Sequence, residues 1–194
     1  MNRTARMIVN FMIKQNAISS NPEYVDFYTY GVEITISSIL NIVLVVMIGL
    51  LIHAFLESLI FLLVFISVRT FIGGYHADSY FRCNLLMCTS FIMIFFLSNI
   101  LCKMLSLFYV LIAFSLVLSI IIVFCPIENV NKPIPVEKRL GLKIKGIIIS
   151  TLFLVISVIE LKNDLVISST IMLTLLCIAL LIIAAIIKER REQT

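Results

Sequence analysis

Three long apolar runs separated by short polar interruptions set the plan of the chain. Val32 to Val68 covers about 37 residues, or roughly 55 Å as a helix, against a hydrocarbon core of about 30 Å. One crossing cannot use that length, so the run reads as two spans, with His53 and Glu57 marking the turn between them. Leu85 to Phe124 divides in the same way at Asn99 and Lys103, and Ile144 to Ile187 divides at Glu160 to Asp164. The pattern predicts an all-α polytopic membrane protein with six spans, roughly 32–51, 55–71, 84–100, 105–124, 144–160 and 165–187. The second is the shortest, and a re-entrant segment there would leave five.

Ahead of the spans, Asn2 to Ile18 carries helical periodicity. Arg3, Arg6, Asn10 and Lys14 fall on one stripe, and Met7, Ile8, Phe11 and Met12 on the opposite side. This predicts a basic amphipathic helix lying in the interface of an anionic leaflet, ended by Asn21-Pro22. It has neither the uninterrupted apolar core nor the small-residue cleavage site of a signal peptide.

Composition agrees with the pattern. Of 194 residues, 61% are hydrophobic and 13% charged, and the mean hydropathy is +1.15. The expectation is a single integral membrane domain over 1–194. A net charge of +4 is too small and too scattered for a nucleic-acid partner. Orientation follows from Lys and Arg. With the N-terminus in the cytoplasm, thirteen fall in cytoplasmic segments and only Lys103 and Lys162 face out. Both termini are then cytoplasmic.

Between the second and third spans lies a polar break, Arg69-Thr-Phe-Ile-Gly-Gly-Tyr-His-Ala-Asp-Ser-Tyr-Phe-Arg-Cys83. His76 and Cys83 are residue types that serve as base and nucleophile. Asp78 or Ser79 is a candidate N-cap, which puts Cys83 within the first turn and a half of the next helix, its side chain leaning back towards the loop. On a continuous helix the two would lie about 10 Å apart along the axis, so the break must fold back, and Gly73-Gly74 permits that. Helix N-termini, His⁺ and Arg all favour the thiolate, and Arg69 and Arg82 stand nearby in sequence. Spacing alone supports equally a wet juxtamembrane loop with Cys83 as a small packing residue. Asp78 fits an imidazole-orienting role and a capping role alike.

The pattern Arg69…Gly74-x-His76-Ala77…Cys83, followed by Cys125-Pro126 and by Lys132-Pro133-Ile134-Pro135-Val136, resembles the accessory gene regulator B family of membrane peptidases that process quorum-sensing peptide precursors. With chain length and span pattern, the likeness covers nearly the whole sequence. It implies a thiol endopeptidase of the bacterial plasma membrane, with Cys83 as nucleophile and His76 as base, and with Arg69 and Gly74 at matching positions. It implies an autoinducer propeptide as partner, loss of its C-terminal tail, a thioester on Cys83, and closure to a cyclic thiolactone or lactone. A homodimer is a further expectation carried by the family alone.

The stretch Pro126 to Lys143 contains three prolines, which argue against a regular helix there, and a run of basic residues. Most of these read as orientation determinants. The resemblance, which implies a precursor with an acidic tail, makes Lys132, Lys138 and Arg139 candidate tail contacts. Cys88, Cys102, Cys125 and Cys177 read as small hydrophobes. The absence of a CxxC or His/Cys quartet gives no reason to expect a metal or other cofactor. The competing class is a small transporter or channel subunit, against which stands the placing of charges at span ends rather than at mid-depth.

Overall fold

The computed structural model describes residues 2–15, 17–18, 21–73, 79–127 and 135–192. Among them the fold is all-α: α1 (Asn2–Lys14), α2 (Pro22–Leu51), α3 (Phe55–Ile72), α4 (Tyr80–Leu101), a 3-10 turn (Cys102–Met104), α5 (Leu107–Phe124), α6 (Val136–Asn163) and α7 (Leu165–Glu192). Six of these, α2 to α7, are long and apolar enough to cross a membrane. The second span is a complete helix, α3, of 18 residues. The chain divides into two compact units, Met1–Leu44 and Val45–Thr194. In the first, α1 presents Met7 and Phe11 to the outside, the apolar edge that an interfacial helix sinks into lipid.

In the second unit the turns fall where polar residues interrupt the apolar runs. His53 takes a left-handed conformation, φ 56°, and the Ala54 N–H closes α2 on the Gly49 carbonyl at 2.7 Å. A Cβ on Gly49 would lie 2.6 Å from the Ser58 Cβ and 3.0 Å from the Ala54 carbonyl oxygen, so the α2–α3 turn is tight enough to need glycine. Glu57 sits in the first turn of α3, where the helix dipole favours a carboxylate. At the α6–α7 turn, the Asp164 carboxylate accepts from the backbone N–H groups of Val166 and Ile167 at 2.8 and 3.1 Å, capping α7.

α7 is the central helix. It packs against α3, α4, α5 and α6, and 56% of its apolar window is buried, against 22–39% for those four. Lipid offers no hydrophobic drive for helices to associate, so close approach and hydrogen bonding at small residues decide which faces meet. Ser157 of α6 and Ser168 of α7 are fully buried and pair directly, with hydroxyls 3.0 Å apart; each hydroxyl also reaches the other residue's carbonyl, at 3.1 and 2.8 Å. The Ser169 hydroxyl donates to the Ser98 carbonyl of α4 at 3.2 Å. These bonds tie one end of the bundle. Contacts among Ile72, Ile127 and Gly146 gather the other.

One sequence expectation needs correcting. The prolines do not keep the stretch to Lys143 irregular, because α6 begins at Val136, directly after Pro135. A proline just ahead of a helix removes a backbone donor that the helix start would leave without an intrahelical acceptor. Lys138, Arg139 and Lys143 therefore stand on the first turns of α6.

Candidate active site

α4 opens on Ser79. Its backbone is extended, and its hydroxyl accepts from the Arg82 N–H at 3.3 Å, capping α4. The Cys83 N–H then bonds to the Ser79 carbonyl at 3.1 Å. Cys83 is the fourth residue of α4 and half-buried, and side chains on a helix tilt towards its N-terminus. Of the two proposed caps, Ser79 fills the role. Asp78, Gly74, His76 and Lys132 lie outside the described residues.

Arg69 approaches from the last turn of α3. Its guanidinium carbon stands 5.4 Å from the centroid of the Phe65 ring. Stacking on an aromatic face suits the planar, weakly hydrated guanidinium. Arg69 in the last turn of α3 and the half-buried Cys83 in the first turn of α4 thus flank the same break. An open groove of about 410 Å³ runs between α4 and α7, lined in part by Leu86, Ser90, Met93, Cys177 and Leu180. The meeting of Cys177 and Ser90 in this groove had no signal in the sequence, since both lie inside apolar runs.

The other cysteines differ from Cys83. Cys125 is buried, and burial pushes its thiol up to about 12 against an opposing pull from Lys143. It stays neutral at ordinary pH and makes a poor nucleophile. Cys102 is buried, with its sulfur 3.3 Å from the Asn99 carbonyl. All five cysteines are free. No grouping of His, Cys, Asp or Glu among the described residues would hold a metal ion.

The end of α3 is held from a distance in sequence. The Gly73 N–H bonds to the Arg69 carbonyl, and the Ile127 N–H bonds to the Ile72 carbonyl, both at 3.0 Å. The two segments that stood out in the sequence, one around Gly73 and one at Cys125-Pro126, are therefore in direct contact. Lys138 and Arg139 are exposed at the start of α6.

These features define a six-span helical membrane protein with a capped, half-buried thiol and a neighbouring guanidinium at one end of its bundle. The chain belongs to the Accessory gene regulator B family, whose sequence model matches residues 5–185. It is 34% identical over 137 residues to an AgrB-like protein 2 of Clostridium perfringens, a match covering 68% of this chain and 64% of the relative. It is 30% identical over 129 residues to the accessory gene regulator protein B of Staphylococcus intermedius, covering 66% of this chain and 68% of that protein. The chain thus spans just under two thirds of the length of the Clostridium relative. No solved structure matches it.

Proposed function

We propose that the protein is a cysteine endopeptidase that trims and activates an autoinducer propeptide at the membrane. The observation that carries this reading is the half-buried Cys83 in the first turn of α4, directly behind the Ser79 cap, within a chain of this family. The His76 imidazole takes the proton of the Cys83 thiol. The thiolate attacks a peptide carbonyl near the C-terminus of the precursor, with Arg69 facing the sulfur charge. The C–N bond breaks, the new amine takes the proton from the imidazolium, and the C-terminal tail departs. The remaining peptide is held as a thioester on Cys83. An internal Cys or Ser of that peptide then attacks the thioester carbonyl. Cys83 leaves as thiolate and recovers its proton through His76, and a thiolactone or lactone ring is released. Hydrolysis would waste the activated acyl group, so the site has to favour the internal nucleophile over water. Lys138 and Arg139, with Lys132, are proposed to receive an anionic tail on the precursor.

The test is to catch the thioester. A precursor whose ring-closing residue is changed to alanine should accumulate as an adduct of its N-terminal portion on Cys83, released by hydroxylamine. Release of the tail with no adduct at any time would overturn the thioester route.

The reading places the site at the cytoplasmic face of the plasma membrane, where a newly made precursor meets it. A cysteine-accessibility scan is expected to label positions 76–82 and 128–142 from the cytoplasmic side, and 102–103 and 161–163 from outside. Labelling of position 76 from outside alone would reverse the orientation and remove the proposed encounter.

A further inference from the structure

The last turn of α3 is gripped by the connection that follows α5. A helix leaves its final carbonyls without intrahelical donors. Gly73 returns one N–H, to Arg69, whereas the donor for Ile72 comes from Ile127, at 3.0 Å. Gly73 adopts φ 75°, and a Cβ there would run into the Ile127 carbonyl oxygen. Glycine is thus required twice over, by conformation and by the close approach of another backbone. From a further side, fully buried Ile72 lies so close to α6 that a Cβ on Gly146 would collide with its Cγ2. Buried Cys125 anchors the connection two residues before Ile127. The gripped turn carries Arg69, and the chain leaving it reaches His76 only three residues after Gly73, a span of at most about 11 Å.

We propose that Ile127 is a positioning residue, whose backbone N–H fixes the C-terminal turn of α3, and with it Arg69, at the break that α4 enters with Cys83 in its first turn. The reactivity of Cys83 therefore depends on a contact made by the α5–α6 connection. The inference rests on the peptidase reading only in taking Cys83 as the reacting group.

Ile127→Pro removes the N–H, Ile127→Ala keeps it, and Gly73→Ala disturbs the same contact from the other partner. Each protein is assayed for amount in the membrane, for precursor cleavage, and for site-resolved alkylation of Cys83 by iodoacetamide. Ile127→Pro and Gly73→Ala are expected to accumulate and to lower both kcat and the Cys83 alkylation rate by about tenfold or more, with KM within about twofold; Ile127→Ala should stay within about threefold of wild type throughout. Normal Cys83 alkylation in both disruptive variants would overturn the proposal. So would an Ile127→Ala loss equal to that of Ile127→Pro, which would assign the effect to the side chain. Failure of both disruptive variants to accumulate would make the contact a folding element and count against a positioning role. The alkylation arm needs no peptidase activity, so failure of this inference and failure of the peptidase reading are told apart.

Discussion

Cys83→Ala is expected to abolish precursor cleavage, with a loss of about three orders of magnitude or more, while the protein remains in the membrane at its usual level. The fold has little stake in the thiol. Cys83 is half-buried, lies outside the hydrophobic core of the bundle, and sits one turn into a helix, where alanine is the best helix former. Cys83→Ser should fail or nearly fail, because a hydroxyl lacks the acidity of a thiol and a neutral imidazole cannot make up the difference. His76→Ala should lose roughly 10²- to 10⁴-fold, the usual worth of a general base, with partial recovery at higher pH as more thiolate forms unaided. Alkylation of the wild-type protein should reach Cys83 before the other four cysteines, and Cys125 should lag furthest, since burial holds its thiol near 12. Full cleavage by Cys83→Ala would end the peptidase reading, and gradient-driven flux surviving that change would favour a transporter.

The spans were legible because the bilayer imposes a length. An apolar run twice as long as a crossing has to turn, and the polar residues at His53, Lys103 and Asp164 mark where it does. The order of burial was not legible. The most apolar 18-residue stretches of α5 and α7 have the same mean hydropathy, 3.0, yet 22% of one is buried and 56% of the other. Lipid and protein interior are both apolar, so composition cannot separate a lipid-facing helix from a central one. What marks α7 is its run of small hydroxyl residues, Ser168, Ser169, Thr170 and Thr174, all buried. The start of α6 was misplaced because prolines read as breakers also stand directly before helices.

The site divides along the same line. The Ser79 cap and the position of Cys83 follow from local rules that a sequence displays. Arg69 was visible as a charge at a span end, but its stacking over the Phe65 ring is a fact of the folded helix. The bond from Ile127 to Ile72 is a tertiary fact. Cys125-Pro126 stood out as a motif, and its physical reason is that it delivers the next residue to the end of α3.

Arg69→Leu is expected to reduce cleavage by roughly 10- to 100-fold and to slow alkylation of Cys83 by a similar factor. A guanidinium near a thiolate favours the charged sulfur over the neutral thiol, an attraction that exists only once the thiolate has formed. The effect should therefore fall on kcat more than on KM. Leucine fills the apolar space over Phe65, and one fewer charge leaves the positive-inside bias intact, so amount and orientation in the membrane should not change. Arg69→Lys keeps the charge but not the planar stack on the Phe65 ring, and should lose less, about three- to tenfold. Combining Arg69→Leu with His76→Ala should cost less than the sum of the two, because both changes act on the same sulfur. Cleavage and alkylation both unchanged in Arg69→Leu would show that this guanidinium serves the packing of α3 and not the chemistry of Cys83. A loss of cleavage with alkylation unchanged would move its role from the thiol to the precursor.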